Sequence, residues 1–188
     1  MNNKKKYIQE CIPFLLTVFI VLCDQIVKSY IVRKWPRPGT FIADVFQNDI
    51  LYFYHVRNKV IAFSLGEGLP ETLRPLVFIL LPSVVLVFLC VYYFKSADCT
   101  RLQRWAIAGI AGGGIGNLID RIFRPEGVVD FISVKFFGIF GFERWPTFNI
   151  SDSAVVVSVI IWFISVAFQG IDSSQAAKQQ AERQNPES

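Results

Sequence analysis

The sequence predicts an all-α membrane protein: four transmembrane helices, a small extracytoplasmic β-rich loop region and one interfacial loop. Composition is the first observation behind this. Of 188 residues, 53% are hydrophobic and only 18% charged, with a mean hydropathy of +0.42, too apolar for an ordinary soluble domain of this length. The second is four long apolar runs, at about residues 8–32, 74–94, 105–123 and 150–170. At 1.5 Å rise per residue, runs of about 20 residues cross a hydrocarbon core roughly 30 Å thick. The third is that residues 33–73, between the first two runs, change to a mixed polar, aromatic and β-branched composition. Residues 1–170 therefore read as a single membrane domain, and residues 171–188 as a polar cytoplasmic tail.

The net charge of +4 comes from lysines and arginines at segment ends, without an arginine-rich block, so no nucleic-acid partner is expected. Cys11, Cys23, Cys90 and Cys99 lack the CxxC or Cys/His spacing of a metal or disulfide framework, and no metal site is expected.

The first run follows Lys4, Lys5 and Lys6, as a signal peptide would. Signal cleavage wants small residues before the cut, whereas bulky Leu22 precedes Cys23, so a retained span is expected. This span holds Asp24 and Lys28, which share one helix face at i,i+4. Ionisable groups inside a span face the protein interior and mark functional positions by default; the plainer alternative is a local pair at the helix end.

In the loop that follows, Pro36, Pro38, Gly39, Gly66, Gly68 and Pro70 punctuate two strand-like pieces, 40–46 and 50–56. His55, the single histidine, reads as a packed or solvated strand residue. The second span is apolar throughout, and its Pro82 is tolerable in a membrane helix. The third contains Gly112 and Gly116, a GxxxG pair that lets another helix approach closely. Its Asn117, Asp120 and Arg121, at i, i+3 and i+4, form one polar face on an apolar helix. Residues 124–148 are rich in Phe, Gly and Trp and are expected to lie in the membrane interface.

Basic residues crowd the N-terminus and the short loop 95–104, which places both on the cytoplasmic side, with an even number of spans and both termini inside. If the first and third spans begin at the same edge, Asp24 and Asp120 each lie about 16 residues in, roughly 24 Å deep. Asp130 and Asp152 flank the external loop between the last two spans, so four acidic positions converge near the outer face.

Paired carboxylates can activate water when one is ionised and the other protonated, because like charges a few Å apart cannot both ionise. From the residues alone, Asp130 could instead cap a turn and Asp152 the fourth helix, whose Asn149-Ile150-Ser151-Asp152 has the look of a helix start. A transporter with an acidic relay and a structural membrane subunit held by polar helix contacts are the other two classes the pattern allows.

Five motifs in order narrow this. Asp24-Gln25-Ile26-Val27-Lys28, Asn58 to Phe63, Gly116-Asn117-Leu118-Ile119-Asp120-Arg121, Val129-Asp130-Phe131 and Phe148-Asn149-Ile150-Ser151-Asp152 resemble those of the signal peptidase II family, bacterial membrane aspartic peptidases that process lipoproteins. The resemblance runs to about residue 170. It implies a multi-pass protein of the bacterial inner membrane, with Asp130 and Asp152 as a catalytic pair. It also implies Asp24, Lys28, Asn58, Asn117, Asp120, Arg121 and Asn149 as substrate-binding or supporting residues. The substrate it implies is a diacylglyceryl-modified prolipoprotein, cut before the lipid-modified cysteine by a monomer in contact with membrane lipid, with no cofactor. Val60 stands where the family usually has glycine and Ser151 where it commonly has alanine.

Overall fold

The computed structural model of the chain describes residues 9–59, 68–70, 72–96 and 98–184, the last fourteen of these as backbone alone. Val60 and the rest of the motif through Phe63 lie outside the described residues. Helix α1 spans Phe14–Lys34, preceded by a short helical segment from Gln9. Strands β1 (Thr40–Asp44) and β2 (Leu51–Asn58) follow, then α2 (Leu81–Lys95), α3 (Arg101–Phe123), β3 (Val128–Ile139), β4 (Phe142–Arg144) and α4 (Ile150–Gln184). Among the described residues, three helical stretches, Gln9–Lys34, Leu76–Lys95 and Ile150–Gly170, are long and apolar enough to cross a membrane. They carry large apolar side chains on their outer surfaces, among them Leu15, Phe19, Phe88 and Phe163, each more than 60% exposed. A belt of that size marks a lipid-facing surface.

Helix α3 is the axis of the bundle. Ala106, Ala108, Ala111, Gly112, Gly113 and Gly116 are all buried in it, and small side chains let its neighbours approach. Along α1 the contacts climb in step: Thr17 Oγ1 donates to Ala108 O at 2.6 Å, Gly112 faces Ile20, and Gly116 faces Asp24. Those two helices therefore run parallel. Along α4 the order reverses, with Gly116 and Gly113 against Ser151, Gly109 against Ser158 and Gln103 bonded to Gln169 at 3.0 Å, so α4 is antiparallel to α3. Helix α2 is antiparallel as well: Arg121 lies over Phe78, Gly114 meets Leu86, and Arg104 lies over Tyr93.

Helix α3 starts at Arg101, ahead of the expected residue 105, because Thr100 and Gln103 form a capping box there. Before α2, residues Leu76–Leu80 form a wide π-helical turn. Pro82 has no N–H for the Phe78 carbonyl and its ring crowds that carbonyl, so the turn opens locally. Helix α4 continues beyond the apolar stretch that ends at Gly170, and its backbone stays helical through Gln184.

The four strands make one antiparallel sheet in the order β1-β2-β3-β4. Strands β1 and β2 correspond to the two expected pieces, with β2 two residues longer at its C-terminal end. Strands β3 and β4 occupy the aromatic segment that sequence alone presents as an interfacial loop. Ile31, Val129 and Phe131 form the apolar cluster that fixes the sheet on the end of α1, with Phe53 and Ile150 packed against it. The start of β3 is thereby locked over the ends of α1 and α3.

Candidate active site

Asp130 is the third residue of β3 and pairs across the ladder with Val56 of β2. The residue is 2% exposed. Oδ2 accepts the side-chain amide of Asn58 at 3.0 Å, and Oδ1 accepts that of Asn149 at 2.6 Å. Burial, reinforced by the charge of Asp152, pushes the Asp130 pKa up to about 7; the amides of Asn58 and Asn149 and the charge of Lys28 hold it from going higher.

Asp152 occupies the first turn of α4. Asn149 Oδ1 accepts the Asp152 N–H at 2.9 Å, and Asp152 Oδ2 accepts the Asn149 N–H at 3.0 Å. This is a reciprocal cap, with an acidic group at the positive end of a helix. The other oxygen, Oδ1, accepts the Asn117 amide at 2.7 Å. Asp152 thus both caps its helix and faces the polar cluster, and Asn149 touches both aspartates through different atoms.

Below the pair lies a fully buried ionic group. Lys28 Nζ reaches Asp24 at 2.8 Å, Asp120 at 3.2 Å and Asn117 Oδ1 at 3.0 Å, with Lys28, Asp24 and Asp120 all 0% exposed. Arg124 meets Asp120 at 3.1 Å, so two cations balance two carboxylates. The remaining oxygen positions are also used. Asp24 Oδ1 accepts the backbone N–H of Ser151 at 3.1 Å, and Asp120 Oδ2 accepts that of Val129 at 3.0 Å. Each buried acid therefore holds the peptide one residue before an aspartate of the upper pair. Asn117 joins the layers, since its Oδ1 accepts from both Lys28 and Asn149.

All nine residues singled out in the sequence come together at this end of the bundle. Arg121 lies with its guanidinium 5.1 Å from the Phe78 ring centroid and is coupled by charge to Asp130, Asp152 and Asp120. Sequence reasoning missed Gln25, whose Nε2 donates to Asp120 Oδ1 at 3.0 Å and to Gly116 O at 3.0 Å. It also missed Arg124, although its i,i+4 spacing from Asp120 was a readable signal. His55 is apart from the site: it is buried, with Nδ1 2.6 Å from Trp35 O, and burial lowers its pKa. Among the described residues, no three His, Cys, Asp or Glu side chains are grouped as a metal would require.

The glycines of α3 make the approach possible. A Cβ on Gly113 would run into Ser151 O, and one on Gly116 into Ser151 Oγ. At Gly127, which precedes β3 with φ +101°, a Cβ would strike the Asn58 carbonyl.

A helical membrane protein that brings two carboxylates together on an amide-lined polar cluster has the layout of a membrane-embedded aspartic hydrolase. The family described as signal peptidase (SPase) II matches residues 16–168, and the chain belongs to that family of proteases. It is 48% identical over 171 residues to the lipoprotein signal peptidase of Treponema denticola, covering 91% of this chain and 95% of that one. To the lipoprotein signal peptidase of Treponema pallidum it is 41% identical over 157 residues, 84% of this chain and 83% of the relative. A bacterial membrane enzyme structure obtained by the in meso method at 2.3 Å superposes with a TM-score of 0.69 at 28% identity, covering 84% of this chain and 88% of that one.

Proposed function

We propose that this protein is an aspartic endopeptidase of the bacterial inner membrane that removes the signal peptide from diacylglyceryl-modified prolipoproteins. The cut falls N-terminal to the lipid-modified cysteine, and Asp130 and Asp152 are the catalytic pair. The carrying observation is the bridge through Asn149, which bonds Asp130 by its side chain and Asp152 by its backbone. α3 is a span as well, third in chain order, which makes four: its 23 residues are long enough, and its lower apolarity reflects the polar face that it turns inward. Both termini are cytoplasmic and the site lies near the outer face. The working form is a monomer in contact with membrane lipid, with no nucleic-acid partner and no cofactor.

In the proposed mechanism the substrate's acyl chains stay in the bilayer while its scissile peptide crosses the carboxylate pair. Asp130, desolvated and with a pKa near 7, holds the resting proton; Asp152, at a helix N-terminus and bonded by Asn117, carries the charge. Asp152 takes a proton from water as its oxygen attacks the carbonyl carbon. Asp130 gives its proton to the developing oxyanion. On collapse Asp152 passes the proton taken from water to the leaving amine, the C–N bond breaks, and one hydroxyl of the intermediate returns its proton to Asp130 as the carbonyl re-forms. Asp24, Lys28, Asn58, Asn117, Asp120, Arg121 and Asn149 brace the pair or meet the substrate. An acidic relay has little support, since α1 carries no acid between Glu10 and Asp24 and α3 none before Asp120.

The test is cleavage of a diacylglyceryl-modified prolipoprotein by purified wild type, Asp130→Asn and Asp152→Asn, each checked for folding in detergent. Loss of cleavage in both folded variants is the expected result. Near-normal cleavage by either removes that aspartate from catalysis, and abolition of wild-type activity by a chelator or a serine-directed reagent overturns the scheme.

A further inference from the structure

At the end of the bundle away from the carboxylates, the first turns of the α1 segment and of α3 enclose a second pocket of about 600 Å³, lined in part by Glu10, Pro13, Arg101, Arg104 and Trp105. Asp24 lies fourteen positions beyond Glu10 and Asp120 sixteen beyond Arg104, roughly 20–25 Å away along the helices. The pocket is separate from the site described above.

Arg104 is the unusual member. Its guanidinium lies 5.1 Å from the Tyr93 ring centroid, which fixes its orientation, and its side chain is 18% exposed. Nη1 is buried and has no hydrogen-bond partner among the described residues; the carboxylate of Glu10 stands 3.9 Å off, beyond hydrogen-bond reach. A buried, charged donor left without an acceptor is costly, and an anionic oxygen in the pocket would relieve it. Arg101, one turn earlier and exposed, lines the same space.

The pocket straddles the edge of the apolar belt. Trp105 and Ile12 are 39% and 43% exposed beside it, and tryptophan favours the headgroup level of a bilayer. Two arginines facing one glutamate leave a single positive charge, which matches a phosphodiester monoanion. The chain just before Gln9 adds Lys4, Lys5 and Lys6 in sequence.

We propose that this pocket seats the phosphodiester of an anionic glycerophospholipid, with Arg104 and Arg101 on its phosphate oxygens and Trp105 beside its glycerol. The full-length protein is to be examined by native mass spectrometry from micelles doped with phosphatidylglycerol or phosphatidylcholine. Wild type is expected to keep one phosphatidylglycerol selectively, and retention is expected to fall about fivefold for each arginine replaced in Arg101→Gln and Arg101→Gln/Arg104→Gln. Equal retention of the two lipids, or unchanged phosphatidylglycerol retention in Arg101→Gln, overturns the proposal. So does displacement by excess inorganic phosphate, which reassigns the site to free phosphate. Arg101 is exposed, so its single variant decides the matter should the double variant melt early.

Discussion

Asn149 donates its side-chain amide to Asp130 at 2.6 Å from the position that caps α4. The same residue gives its backbone N–H to Asp152, so the spacing of the two carboxylates is set by one rigid helix start. Asn149→Ala is expected to lower kcat by at least about tenfold, since it removes the bridge and the cap together. Asn149→Asp retains an N-cap oxygen but adds a third carboxyl beside the pair and removes the amide donor to Asp130, and is expected to recover stability without recovering activity. Melting temperature and cleavage rate, measured on both variants, separate these effects.

Activity should fall as pH rises past about 7. The Asp130 carboxyl, with its pKa near 7, loses its proton there, and the pair then carries two negative charges and no acid. A pH–rate profile of the purified protein checks this; undiminished cleavage at pH 9 would rule out Asp130 as the proton donor.

The same carboxyl sets a slope on stability. Its folded pKa, about 7, is above its ordinary value of 3.8, so the folded state binds the extra proton between these values. The stabilisation is fully present below about pH 4 and is lost as pH rises through about 7, by up to about 4 kcal/mol. Wild-type melting temperature should therefore drop across this window more than that of Asp130→Asn, which has nothing to titrate there.

Lys28→Met keeps the buried stem and deletes the charge between Asp24 and Asp120. Two carboxylates at 0% exposure then share only Arg124, Gln25 and backbone donors, and a loss of about 3–5 kcal/mol is expected. Thermal melting in detergent measures it.

Gly127→Ala and Gly39→Ala make a matched pair. Both glycines have positive φ, +101° and +84°, but an added Cβ meets the Asn58 carbonyl at Gly127 and nothing within 4 Å at Gly39. Each should cost about 1 kcal/mol of backbone strain. Only Gly127→Ala should also depress kcat, because Asn58 would be pushed away from Asp130.

Much of the site was readable because each of its charges is expensive to place in an apolar helix. Asp24, Lys28 and Asp120 stand out for that reason, and their common depth followed from rise per residue alone. Asn117 and Arg121 stood on the same helix face as Asp120. The sheet was harder. Residues 128–139 contain no clean alternation, since Val128 to Phe131 are buried in succession and Phe137 to Ile139 are exposed in succession, so a period of two never develops. Gln25 and Ser151 were quoted within motifs but given no part in the site, because their contributions depend on partners across the bundle, which no local pattern encodes. Ser151 Oγ is buried without a hydrogen-bond partner among the described residues, so Ser151→Ala is expected to be neutral or stabilising, by up to about 1 kcal/mol on melting.

The parallel pairing of α1 with α3 bears on how the protein is made. Lys28 and Gln25 leave the ribosome long before their acceptor, since Gln25 and Asp120 are 95 positions apart. Until α3 arrives, the first helix holds Asp24 with only its own Lys28 and Gln25 as side-chain partners. Asp130 and Asp152 emerge later still, onto peptides that Asp120 and Asp24 are already placed to grip. A chain synthesised only through α3 therefore contains the braces without the proposed catalytic pair, which is complete only when the last helix is threaded into place.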